Sequence, residues 1–154
     1  MFGWFNSVSR ERRKKVRLDR KHLEQRARRF LKSYLEADEG RKPHFYRAVE
    51  DVSKKCHPAE FGLARPDVAD NRIAVATSGA AMKMFLDRIT QVKKDDRVGN
   101  FVTDACATVA VAYHRAAGVY VDDKEMQELG TAAVHLLTMA TSYTNPQSHE
   151  ESNS

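Results

Sequence analysis

The chain has only two cysteines, four prolines and one tryptophan in 154 residues, and no long apolar run. Each scarcity excludes something. Cys56 and Cys106 lie far apart with no CxxC spacing, so neither a disulfide framework nor a zinc module is encoded. They read as reduced thiols of a cytosolic-type compartment, one long-range bridge being the other option. The longest uncharged run, Leu129–His149, is rich in Thr, Ser and Asn, and its apolar part ends near Tyr143. That part is about 15 residues, short of the ~20 a membrane span requires. The first residues put aromatics ahead of charges, the reverse of a secretory signal, and Glu11, Asp19 and Glu24 argue against a mitochondrial presequence. GxSxG, Walker A, GxGxxG and HExxH patterns are missing, as are helix-turn-helix, zinc-finger and RNP signatures.

What is present is lopsided charge. Residues 1–33 carry twelve Lys and Arg against three acids, a local net of +9, while the whole chain is +5. The remaining residues therefore sum to −4. One strongly basic segment precedes a mildly acidic domain, and charge concentrated in this way speaks of partners more than of fold.

The pattern is helical almost throughout, with no internal repeat. Val16, Leu23, Ala27, Phe30, Leu31 and Tyr34 fall near a helical period, predicting a basic amphipathic helix from Ser7 or Ser9 to Ala37. Gly40 and Pro43 end it. A second helix is expected from Phe45 to Cys56, then a connector through Pro66. Pro66 opens a third helix running to about Val92. Asp95 or Asp96 caps a fourth, which Gly118 stops in the left-handed conformation. Asp122 and Glu125 form an acidic capping box for the fifth, with Val121 and Met126 as its staple. Residues 145–154 have the composition of a disordered polar tail.

Small residues line three of these helices: Ala74, Ala76, Ser78, Gly79, Ala80 and Ala81; Ala105, Ala107, Ala110 and Ala112; Gly130, Ala132 and Ala133. Each interior glycine costs roughly 1 kcal/mol relative to alanine, so Gly79 and Gly130 make sense where helix axes approach closely. The expectation is an all-α, single-domain antiparallel bundle of four to five helices with close Ala/Gly contacts. Residues 1–40 form its basic N-terminal helix or arm and 41–144 the bundle. It leaves no room for a large cofactor, and none is expected.

Candidate site residues follow from the charge. Phe2, Trp4 and Phe5 would bury rings at a bilayer interface, while Arg12, Arg13, Lys14, Lys15, Arg17, Arg20 and Lys21 supply attraction of roughly 1 kcal/mol each near an anionic surface. Nucleic-acid phosphates would use the same cations, but the aromatics are not interleaved with them as base stacking would want. The third option is a solvated helix packed by one stripe. Phe61 and Leu63 sit in the Cys56–Pro66 connector, where they either plug the bundle end or form a recognition loop. Cys56, His57, Cys106, His114 and His135 lack metal-ligand spacing, so no metal site is predicted, and Cys106 reads as buried. Asp104 and His114 lie ~15 Å apart along one helix and form no relay by themselves.

The reading is a small non-enzymatic adaptor, cytoplasmic and peripheral on the cytoplasmic membrane face, recruited to anionic lipid by residues 1–32. An unidentified protein partner and self-association through the small-residue faces fit the same reading. A nucleic-acid-binding protein using the same helix is the alternative, and a small helical enzyme with an unrecognised site the second.

Overall fold

A computed structural model describes residues 20–92 and 96–144 of the chain. The spacing of Leu23, Ala27, Phe30, Leu31 and Tyr34 puts them on one stripe of a helix, α1 (described over 20–36), and all five are buried in the common core. The residues ahead of Arg20, the cap at Asp95 and the tail from 145 onward lie outside the described residues, as do Phe2, Trp4, Phe5, Arg12, Arg13, Lys14, Lys15 and Arg17.

Asp38 organises the turn after α1. Its carboxylate accepts from Arg41 N at 3.0 Å and its carbonyl from Arg41 N and Lys42 N. Helix α2 (Lys42–Cys56) then starts three residues earlier than expected, with Pro43 inside its first turn. A missing N–H costs nothing there, so Pro43 belongs to the helix it was expected to precede. A 3₁₀ turn (Ala59–Phe61) follows. Pro66 does not open the next helix. It is buried in a turn, and α3 (Asn71–Gln91) starts at an Asp70 cap that accepts from Arg72 N and Ile73 N at 2.7 and 3.3 Å.

Asp96 caps α4 (Arg97–Ala116) through Gly99 N. Behind α4, Gly118 at φ 77° lets Gly118 N reach Arg115 O and Val119 N reach His114 O, the Schellman arrangement. The cap of α5 (Lys124–Thr144) is displaced by one residue. Asp123, not Asp122, accepts from Met126 N, and Val121 is 67% exposed, so the capping box and staple do not form. With Asp123 at the cap the third helical residue is Met126, which has no carboxylate to return the bond.

Every residue of α4 from Thr103 to Tyr113 is buried, which marks it as the central helix. The others alternate around it. Phe30 of α1 and His44 of α2 both meet Phe101, near the start of α4, and Ser53 of α2 meets Tyr113, near its end. Arg88, late in α3, reaches Thr103, and Gly130, early in α5, lies against Arg115. The result is an up-and-down, five-helix all-α bundle. Gly130 occupies a tight helix contact, but Gly79 does not: it is exposed, with nothing among the described residues within 4 Å of where a Cβ would sit. Ala76 and Ala132 also face outward.

Candidate functional site

Basic residues of α1 divide into two sets. Arg26 and Arg29 turn inward to Asp104, whose side chain is 8% exposed. Arg29 spans both carboxylate oxygens at 2.7 and 2.9 Å, and Arg26 bridges Asp104 and Asn100 at 3.3 and 3.0 Å. The hydrogen bond to Asp104 holds the Arg29 guanidinium above its ordinary pKa against the opposing effect of burial. The outer set is Arg20, Lys21, Arg28 and Lys32, all exposed. Arg20 pairs with Asp123 and Arg28 with Glu24, so Lys21 and Lys32 are the cations of this set outside an ion pair among the described residues.

The enzyme alternative asked whether Asp104, His114 and His135 converge. They do not. Asp104 is taken by the two arginines, while Thr108 only donates to its backbone carbonyl at 2.8 Å. His114 Nδ1 faces the Tyr120 hydroxyl at 3.3 Å, burial lowering its pKa, and His135 is exposed on α5. No group of three His, Cys, Asp or Glu side chains placed to hold a metal occurs among the described residues. Cys56 and Cys106 are free and buried, and burial pushes both thiols up to about 11. Cys106 thus sits on a buried face as expected.

The connector after α2 hangs on Tyr113. Its hydroxyl donates to Ala64 O at 2.8 Å and lies 2.8 Å from His57 Nε2 and 3.2 Å from Ser53 Oγ. A phenol has one proton, so the network assigns Nε2–H to His57, with Tyr113 oxygen accepting from it and from Ser53. His57 Nδ1 is then a bare acceptor, buried without a partner among the described residues. Protonating it would create a buried donor with nowhere to go, and burial indeed lowers the His57 pKa.

Phe61 and Leu63 do not plug the bundle end. They are 40% and 52% exposed, and Phe61 carries the Arg72 guanidinium 5.7 Å above its ring. The Tyr113 bonds to His57 and Ala64 bracket these two residues and hold the loop that displays them.

The bundle end where α4 finishes therefore gathers the first described turn of α1, the connector and the α4–α5 turn. Val119 of that turn is exposed beside Arg20. Between them and α3 lies a cleft of about 370 Å³, lined mainly by Leu23, Met82, Leu86, His114 and Tyr120. No protein-family model, curated protein or solved structure matches the chain.

Sequence reasoning missed Tyr113 as a hub and Asp104 as an ion-pair centre. Asp104 carried a signal: it is the single charge between Arg97 and His114, and a lone acid in an apolar stretch needs a buried partner. Tyr113 carried none, because its partners come from residues 53, 57 and 64.

Proposed function

We propose that this protein is a small non-enzymatic adaptor that binds an anionic membrane surface, on the cytoplasmic face, through its aromatic and polybasic N-terminus. One observation carries the reading. Arg20, where the described part of the basic segment begins, lies on the bundle end that also exposes Phe61, Leu63, Val119 and Val121. Cations and exposed apolar side chains on one end are the two-signal combination that makes peripheral binding appreciable. The absence of any described helix long and apolar enough to cross a membrane is compatible with it. The rest of the bundle is left for a protein partner.

The test is co-sedimentation with phosphatidylserine and phosphatidylcholine vesicles at two salt concentrations, beside binding to random-sequence DNA and RNA. Truncation must stop at residue 19, because Leu23, Ala27, Phe30 and Leu31 belong to the core. Selective phosphatidylserine binding, lost on truncation or on joint charge reversal of Arg12, Arg13, Lys14 and Lys15, is the expected result. Retained vesicle binding in both variants overturns the proposal. Nucleic-acid binding that survives Trp4→Ala, without vesicle binding, replaces it with the phosphate-binding alternative.

A further inference from the structure

Helix α4 is buried from Thr103 to Tyr113, but its first two turns come to the surface. Val98 is 76% exposed, more than any other large apolar side chain among the described residues, and Phe101 and Val102 are partly buried after it. Phe101 is held from three sides. Its ring stacks on His44 of α2 at 4.6 Å and meets Phe30 and Phe45 at 5.2 and 5.4 Å. These apolar residues belong to a groove of about 510 Å³ between α2 and α4, walled by Arg47 and Asp51 of α2 and by Arg97 of α4.

The charges of the groove are uneven. Arg47 and Arg97 are exposed and take part in none of the ion pairs among the described residues. Asp51, the acid of the lining, pairs with Lys55 at 2.9 Å. Asp96, next to Arg97, is drawn to its own helix, where it accepts from Gly99 N at 2.9 Å. The groove thus joins an apolar floor to two arginines that no described carboxylate engages.

We propose that the α2–α4 groove docks an acidic amphipathic segment of a partner protein, its apolar side chains on Val98, Phe101 and Val102 and its carboxylates on Arg47 and Arg97. Charge complementarity selects this occupant. An arginine fork without an acceptor suits a carboxylate. An apolar floor asks that the same segment carry apolar anchors, which is the helix-in-groove mode of recognition. Nucleic-acid phosphates would answer the arginines and leave Val98 and Phe101 wet, and a flat bilayer does not enter a groove between two helices. The ring of Phe101 is already fixed, so docking on it costs little order.

This surface gives the adaptor's partner a chemistry, and it stands whether or not the N-terminal segment meets a membrane. Helix α4 has 20 residues and is about 30 Å long, and Arg20 pairs with Asp123 beyond its other end.

The experiment is a selection of displayed random peptides of about 14 residues on the full chain, the winning peptides then being titrated against the ¹⁵N-labelled protein. Winners should combine Asp or Glu with aromatic or branched apolar residues, and their saturable amide shifts should centre on Ala48, Val98, Phe101 and Val102. Joint Arg47→Glu and Arg97→Glu should weaken them about tenfold, and a winner remade with Lys for its acids should bind that variant better than the unaltered chain. Val98→Asp should weaken binding at least as much. It falls in the first turn of α4, where an acid favours the helix, and every variant is checked for an intact thermal transition. No winners, winners without acids, or shifts away from the groove overturn the proposal in the unaltered protein, with no variant needed. Shifts of these amides with random-sequence DNA or phosphatidylserine vesicles, and none with peptide, overturn it as well and assign the groove to that other anion.

Discussion

Arg29 of α1 grips Asp104 of α4 through both carboxylate oxygens, at 2.7 and 2.9 Å, across seventy-five residues of chain. This contact, with Arg26 at 3.3 Å, ties the basic helix to the central one. Asp104→Ala should destabilise the fold by about 2–3 kcal/mol, because it leaves Arg26, at 20% side-chain exposure, without its carboxylate. Arg29→Ala leaves the Asp104 carboxylate, 8% exposed, with Arg26 still beside it at 3.3 Å, so it should cost less, about 1–2 kcal/mol. Urea unfolding of the two variants checks the order. Equal midpoints would mean that the arginines hold α1 no more firmly than its apolar stripe does alone.

Tyr113→Phe removes one oxygen and strands three groups: the His57 Nε2 proton, the Ser53 hydroxyl and the Ala64 carbonyl. The expected loss is about 1–3 kcal/mol. Its location matters more than its size. Hydrogen exchange should quicken across residues 57–66, while the capped start of α3 at Asp70 stays protected. Uniform acceleration along the chain would show that the connector is not separately held by Tyr113.

The bundle was legible in the sequence because its helices announce themselves by local rules. Apolar periodicity places the stripe from Leu23 to Tyr34, Asp96 caps α4, and Gly118 ends it. Those rules reach only a few residues, and the errors are of that range: Pro43 and Pro66 were each assigned to the wrong side of a boundary, and the α5 cap slipped by one. The site was less legible because its contacts are long-range. Asp104 finds arginines in α1, Tyr113 finds a carbonyl beyond α2, and Arg115 lies on a glycine of α5. No spacing within a single helix encodes such pairs. The polybasic residues up to Arg17 show the converse: conspicuous in sequence, they lie outside the described residues.

Gly79 and Gly130 looked alike as glycines inside helices, and the structure separates them. Gly79 is exposed, with nothing near its would-be Cβ, so Gly79→Ala should stabilise α3 by about 0.5–1 kcal/mol through helix propensity alone. Gly130→Ala puts a methyl group 2.6 Å from Arg115 Cβ and should cost about 1–3 kcal/mol, since the clash is with the root of the side chain and not its flexible end. Thermal melts of both variants are sufficient. A rise in Tm for Gly130→Ala would mean that α4 and α5 separate easily at this contact.

Acid should weaken the fold in a window set by two histidines. Burial lowers the pKa of His57 and of His114 below the 6.5 of a free imidazole. The unfolded chain then binds their protons first, so the stability they contribute is complete above about pH 6.5 and is lost as pH falls toward their folded values. Asp70, its carboxylate lowered by bonds from Arg72 N and Ile73 N, acts the same way in a separate window below about pH 4. Tm measured from pH 8 to pH 5 should therefore be flat at first and then decline. His57→Gln keeps an N–H for Tyr113 and has no proton to gain, so its decline should be shallower than that of the unaltered chain. An identical decline in the variant would assign the whole acid response to His114 and remove His57 from it.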